Sequence, residues 1–346
     1  MAASSIRWPA EWEHHRATWL AWPHHEADWP EKFAPIPWVF AEVVRHLAEV
    51  ETVNILVDER SHLVAVSTLR RLGLESNGGV VNLIPCATDR IWTRDYAPLF
   101  VKRENRTVAV KWRFNGWAKY ENWQQDDAAG SLIAENADVP VITPARNGEP
   151  IVLEGGSVDT NGLGTLLTTE ECLLSDEQVR NPGWTREYYE QVFAEYLGIR
   201  KVIWLPRGIL RDDTHGHVDD VARFVNPSTV VVAVEEDPSD PNHDATQENW
   251  HALSRQTMAD GTPLRVVKLP MPRPVYFDGQ RLPASYANFY IANRKVLVPT
   301  FNDTNDRVAL NILADLLPRH DVVGIPCRDL VWGLGTIHCM TMQQPE

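Results

Sequence analysis

Residues 154–206 read EGGSVDTNGLGTLLTTEECLLSDEQVRNPGWTREYYEQVFAEYLGIRKVIWLP. Each part of this stretch has a local signature. EGGSVDTNG is a Gly-rich turn and GTLLTTE a strand. TREYYEQVFAEYL spaces its apolar residues as an amphipathic helix does. KVIWLP is a strand that stops at Pro206. Proline has no N–H to give to a central ladder, so it suits the end of a strand.

The same ending recurs along the chain. VVNLIP stops at Pro85, VPVITP at Pro144, RVVKLP at Pro270 and VVGIP at Pro326. Successive prolines are separated by 59, 62, 64 and 56 residues. From 10 to 18 residues beyond each one stands a reactive side chain in an apolar setting: Asp95, Glu154, His217, Asn288 and Cys339. A repeat this regular implies a repeat architecture, with one group per unit assembled at the centre. Each unit is expected to run from a strand opened by the reactive residue, through a turn and a returning strand, to a helix and the proline-ended strand.

After His217 these parts are HVDDVARFV, TVVVAVEE and the helix TQENWHALSRQTM. After Asn288 they are SYANFYIAN, KVLVPTF and NDRVALNILADLL. The Asp95 unit has DYAPLFVK and TVAVKWRF, with a weaker helix near Gly130 to Ala137. The Cys339 unit lacks room for its later parts, and the N-terminus supplies them as ATWLAWP, WVFAEVVRHLAEV and TVNILV. The two terminal segments are therefore predicted to pair and close a ring, protecting sheet edges as propellers do. The expected fold class is α/β: five pseudo-repeats in one catalytic domain, residues 1–346. Length alone would suggest two domains.

Composition excludes several classes. The net charge of −14 disfavours nucleic acid, whose binding needs basic patches. It is compatible with a cationic substrate. No apolar run approaches the roughly 20 residues of a membrane span. MAASSIRWPAEWEHH lacks a basic stretch followed by an apolar core, so no secretory leader is expected. Cys86, Cys172, Cys327 and Cys339 are widely spaced without a CxxC pattern, which fits a reducing cytoplasm. Among the 14 tryptophans, those beside reactive residues are candidates for lining a flat cationic pocket.

Most single cysteines are small buried hydrophobes, and three of the four fit that description. Cys339 differs: it lies in GLGTIHCMTMQQPE, where Gly333 and Gly335 let a substrate approach the backbone, so it reads as a nucleophile. The segment around it reads as a strand, which would turn the neighbouring His338 to the opposite face and make it structural. THGHVDD admits two readings. As a strand it places His215, His217 and Asp219 on one face, a spacing that suits a metal-dependent hydrolase with His243 and His251 as further ligands. Alternatively His217 is a general acid/base and Asp219 an anchor for a cation. Glu154 closes an apolar strand, where an unpaired carboxylate is costly, so it should have a partner such as an imidazolium. A cysteine, a histidine and three carboxylates together fit a planar guanidinium, gripped by paired hydrogen bonds.

At these residues the sequence resembles the guanidine-modifying pentein superfamily, in particular its agmatine deiminase and bacterial peptidyl-arginine deiminase-like group. The matching segments are PAEWEHHRATWLAWP, WTRDYAP, KWRFNGWAKY, LEGGSVDTNG, WLPRGILRDDTHGHVDDVARF, SYANFYIAN and IHCMTMQQ, in order across residues 9–344. The resemblance implies a five-bladed α/β propeller and hydrolysis of a guanidine without a metal or other cofactor. It implies Cys339 as nucleophile, His217 as acid/base, Asp95 and Asp219 as the guanidinium grip, and Glu154 as the partner of His217. Trp92, Asp213, Asn288 and Gly335 fall at substrate-side positions, with Asp213 meeting the distal amine of agmatine. Agmatine would yield N-carbamoylputrescine; peptidyl-arginine is the alternative substrate. Related enzymes are often homodimers, and no interface is legible in this sequence. Departures include GLGTIHC where the family usually has GGGNIHC, a shortened GWAKY and the extra His215.

Overall fold

The computed structural model describes residues 6–75 and 79–346; the first five residues of the segment read for a leader lie outside that range. The chain is α/β. Among the described residues it forms five sheets of three or four strands and two short hairpins.

The five sheets share one internal order. After Glu154, strand Asp159–Thr160 pairs antiparallel with Thr165–Thr169, which pairs parallel with Lys201–Leu205. After His217, Ala222–Asn226 pairs antiparallel with Thr229–Val234, which pairs parallel with Arg265–Pro270. Tyr290–Ala292, Lys295–Thr300 and Asp321–Pro326 repeat the pattern after Asn288. Leu99–Arg103, Arg106–Val110 and Val141–Ile142 repeat it after Asp95, with Ile6–Arg7 added at the edge. Each strand leading to one of the five prolines lies at the edge of its sheet, where a missing N–H leaves no central ladder bond unmade; Val141–Ile142 stops two residues short of Pro144, and Lys201–Leu205 one short of Pro206. The parallel pair in each unit requires a crossover, and a helix supplies it.

The fifth sheet joins the two ends of the chain. Met342–Pro345 pairs antiparallel with His15–Ala21, setting Trp19 opposite Met342. His15–Ala21 then pairs parallel with Thr52–Val57, and that strand with Val81–Pro85. The expected terminal pairing is present.

Helix Arg186–Leu197 buries Tyr189, Val192, Phe193 and Leu197, as its spacing predicts. It ends at Gly198, whose φ of 70° is left-handed. A side chain there would overlap the Ile6 carbonyl, so glycine also lets the edge strand approach. One hydrophobic cluster includes residues of all five sheets, among them Leu20, Val101, Leu167, Val232 and Leu297.

Two expectations need correction. The helix expected near Gly130 to Ala137 is a 13-residue helix, Gln124–Asn136. Its apolar signal is weak because Gly130 serves close packing: a Cβ there would overlap the Tyr96 carbonyl. The strand expected from His217 starts at Ala222, and Val218–Asp220 forms a single 3-10 turn.

Candidate active site

All five repeat residues occupy the same place in their units, the turn that enters the first strand. Asp95 lies in the one-turn helix Thr93–Tyr96. Glu154 and His217 each precede a 3-10 turn, Gly155–Ser157 and Val218–Asp220. Asn288 stands two residues before Tyr290–Ala292. Cys339 sits in a turn over residues 337–340, and its strand begins at Met342. The continuous strand expected around Cys339 is thus broken by a turn that brings the thiol inward.

These turns meet. Asp95 accepts hydrogen bonds from Trp117 Nε1 at 2.9 Å and from the Gly156 N–H at 3.1 Å. Its Oδ1 is 3.7 Å from His217 Nδ1. The other ring nitrogen of His217 is 3.8 Å from Glu154 Oε2. Arg180 Nε donates to Glu154 Oε1 at 3.1 Å. Glu154 therefore has the imidazole partner expected of it and a guanidinium besides. Gly156 makes the junction possible, since a Cβ there would lie 2.5 Å from His217 Nδ1.

The Cys339 side is tied as closely. Asn288 Nδ2 donates to Cys339 Sγ at 3.1 Å. Its Oδ1 accepts from Thr336 Oγ1 at 2.7 Å and from the His338 N–H at 3.0 Å. Asn288 thus orients the loop and the thiol together. Asp219 Oδ2 lies 3.8 Å from Cys339 Sγ and 2.7 Å from His338 Nδ1. His338 Nε2 is 2.9 Å from Glu11 Oε2, and Glu11 pairs with Arg223 at 2.9 Å and Arg94 at 3.3 Å. The opposite-face placement expected of His338 assumed a strand; in the turn, His338 meets the same Asp219 oxygen that lies beside the Cys339 sulfur. It supports the site directly rather than only packing.

Both nitrogens of His217, Glu154 Oε2 and Asp219 Oδ1 are buried with no hydrogen-bond partner among the described residues. Buried polar atoms are seldom left this way. His217, Glu154 and Asp219 lie behind the residues that line a cavity over Cys339, with acceptor and donor capacity unspent.

Charge is concentrated here. Burial, followed by the carboxylates Asp219, Asp220 and Asp95, pushes the Cys339 thiol well above its usual range. Burial also pushes Asp95 up to about 7, with Asp219 and Glu154 adding and His217 opposing. Burial works against charge on His217, but Asp95, Cys172 and Glu154 raise it well above an ordinary imidazole. Glu154 is held down at about 2 against its own burial by Arg180 and His217. A cation entering this pocket relieves the crowding of carboxylates and favours the thiolate.

A cavity of about 370 Å³ opens onto Cys339. Trp92, Asp95, Trp117, Asp213, Gly335 and Cys339 are among the residues that line it. The Trp92 ring occupies the place a Cβ on Gly335 would need, 2.8 Å from its nearest atom. Leu334, where the family usually has glycine, adopts φ 67°. It carries a left-handed backbone that glycine adopts without strain. Asp213 lines the cavity with both oxygens engaged, Oδ1 2.5 Å from Lys119 Nζ and Oδ2 accepting from Tyr120 OH at 2.7 Å.

The HxHxD spacing does not form a metal site. His215 has φ 62° and meets Ser175 Oγ at 3.0 Å, apart from His217. His243 and His251 lie on the helix His243–Leu253, with His251 exposed. Two other trios have ligand atoms within 4.8 Å of one another: Glu154, Cys172 and His217, and Asp219, Asp220 and Cys339. Each shares its key members with the arrangement above. Trp117, Arg180, Glu11 and Arg223 escaped the sequence reading. Their partners lie far off in the chain, and nothing local marks them.

Five inward turns thus bring Cys, His, Asn and carboxylates together. The family model for Porphyromonas-type peptidyl-arginine deiminase matches residues 7–345, and the chain belongs to that family. It is 37% identical to an agmatine deiminase of Stutzerimonas stutzeri, over 97% of this chain and 95% of that one. The solved agmatine deiminase of Enterococcus faecalis superposes with a TM-score of 0.90 at 32% identity, covering 100% of this chain and 99% of the other. A C. jejuni agmatine deiminase with a cysteine-to-serine substitution and bound substrate gives 0.87 at 27% identity, covering 99% and 96%.

Proposed function

We propose that this chain is an agmatine deiminase, hydrolysing agmatine to N-carbamoylputrescine and ammonia through a covalent intermediate on Cys339. The observation that carries the reading is the convergence of Cys339, His217, Glu154, Asp95 and Asp219, drawn from four units, into one buried site. The five sheets are read as blades of a closed pentein propeller in a single domain. Their common strand order and the pairing of the chain ends support this.

Asp95 and Asp219 hold the guanidinium by its N–H groups, and the bound charge lowers the cost of the thiolate. Cys339 loses its proton to solvent as the cation binds, and the thiolate attacks the guanidinium carbon. His217, kept charged by Glu154 and Asp95, gives its proton to one nitrogen, and ammonia leaves as the C–N bond breaks. An S-alkylthiouronium remains on Cys339. His217, now neutral, takes a proton from water, whose oxygen adds to the same carbon. Collapse expels the thiolate, the hydroxyl proton passes to solvent, and a neutral ureido group is left. Asn288 steers the sulfur, and Trp92 walls the aliphatic chain.

The carboxylate-bearing outer wall of the cavity supports a substrate with a distal amine over free arginine. Ammonia release should be measured on agmatine, arginine and an arginyl peptide. Agmatine is expected to react fastest; a preference for the peptide would replace this reading. Cys339→Ala is expected to abolish turnover, and retained turnover would sink the covalent mechanism. Turnover lost to a chelator and restored by zinc would favour a metal-dependent hydrolase. No helix among the described residues is long and apolar enough to cross a membrane, and the four cysteines are free, which supports residence in the cytoplasm.

A further inference from the structure

The outer part of the cavity carries two carboxylates besides Asp95, namely Asp213 and Asp28. Their states differ. Asp213 already gives one oxygen to Lys119 at 2.5 Å and the other to Tyr120 at 2.7 Å. A substrate ammonium there would have to compete with a resident ammonium. Asp28 has no such partners. Its Oδ2 is buried without a hydrogen bond among the described residues. Its Oδ1 meets Arg90 Nε at 3.7 Å and His25 Nε2 at 3.8 Å, both beyond hydrogen-bonding distance.

Arg90 is committed elsewhere. Its terminal nitrogens donate to the Asn122 carbonyl at 2.9 Å and to Asn122 Oδ1 at 3.1 Å, and its guanidinium lies over the Tyr120 ring. Asp28 is thus a carboxylate in the cavity wall, with a side chain 14% exposed, whose acceptor capacity is unspent. Such a group is costly to hold unless a donor arrives. Burial raises its carboxyl above the ordinary range, Arg90 opposing and nearby Asp213 adding, so an incoming cation would find it eager for charge.

The wall also runs in the right direction. Asp28 adjoins Trp29, whose ring packs on Trp92 with centroids 5.8 Å apart. Trp92 in turn covers Gly335, in the loop that carries Cys339. Trp29 is itself buried, and it is Trp92, Trp117 and Trp332 that line the same cavity as Asp28 and Cys339, so aromatic wall is available to a short methylene chain between them.

We propose that Asp28, rather than Asp213, receives the distal ammonium of a guanidino-amine substrate and sets the preference for that ligand class. This rests on the reading of the site as a guanidine hydrolase. Binding and turnover separate the two ideas. In a Cys339→Ala protein, calorimetry compares agmatine with n-butylguanidine, which keeps the guanidine and the four-carbon chain but lacks the amine. Agmatine is expected to bind about tenfold or more tightly, the worth of a charge-assisted hydrogen bond. Adding Asp28→Asn should erase that advantage while leaving n-butylguanidine binding within about twofold, which also shows that the variant is folded. Adding Asp213→Asn should leave most of the advantage in place. Equal binding of the two ligands, equal losses for both on Asp28→Asn, or a selective loss on Asp213→Asn would each overturn the proposal. Failure of the otherwise unaltered protein to turn over agmatine would instead count against the proposed reaction.

Discussion

Asp95 is expected to set the pH response of the site, because burial pushes its carboxyl up to about 7. An acid raised on folding holds its proton more tightly in the native state. Its stabilising contribution is complete below the unfolded value near 4 and is lost as pH rises through about 7. The free protein should therefore gain in Tm on acidification from about pH 8 to about pH 6, and Asp95→Asn should flatten that gain. Glu154, at about 2, titrates well outside this window. In the proposed mechanism the ionised carboxylate grips the guanidinium, so kcat/KM should climb through the same range in which stability declines. A kcat/KM profile flat between about pH 6 and 8 would refute this role. His217→Asn should lower kcat by about a hundredfold to ten-thousandfold with little change in Tm, the range for loss of a positioned acid/base. Near-normal ammonia release would remove His217 from the proton path. That Asp95, Glu154, His217 and Cys339 come together was legible because each follows a proline at a similar interval. Trp117 and Arg180 were not, since a side chain that matters only through a distant partner leaves no periodic trace.

At the level of elements, the helix Gln124–Asn136 shows how packing hides a signal. Gly130 costs that helix about 1 kcal/mol against alanine. It is kept where the helix lies against the Tyr96 carbonyl, next to Asp95. Gly130→Ala thus sets a propensity gain of about 1 kcal/mol against overlap with fixed backbone, which costs about 1–3 kcal/mol and sometimes more. The expected net is a loss of stability, with activity falling as the Asp95 turn shifts. A rise in Tm on thermal unfolding would show that the helix has room to spare. The inward turns at His217 and Cys339 misled the sequence reading for a related reason. HVDDVARFV and the run from Thr336 to Met342 are apolar enough to pass for strands, yet each begins with a turn that hydrophobicity alone does not reveal. The strand order within units was easier to read, because alternation and proline placement are local properties.

At the scale of the whole molecule, the site depends on residues from both ends of the chain. Glu11 reaches His338 across 327 positions of sequence, and His338 holds Asp219. Glu11→Gln removes one charge from this buried chain of contacts. It should lower kcat about tenfold or more, since a hydrogen bond to a charged group is worth about 1.5–3 kcal/mol. Glu11→Asp should recover part of the loss, and a variant with unchanged kcat would show that Asp219 needs no such support. The repeat made the pairing of chain ends predictable, whereas the ionic links behind it are non-periodic and had to be seen.

That pairing also bears on synthesis. The strand that follows Cys339 has as its partner His15–Ala21, which leaves the ribosome long before it. A nascent chain can hold His15–Ala21 and every carboxylate of the site and still lack a seated Cys339. Catalytic competence should wait for one step, the docking of Met342–Pro345 on His15–Ala21. Until then the growing polypeptide is exposed to its substrate without acting on it.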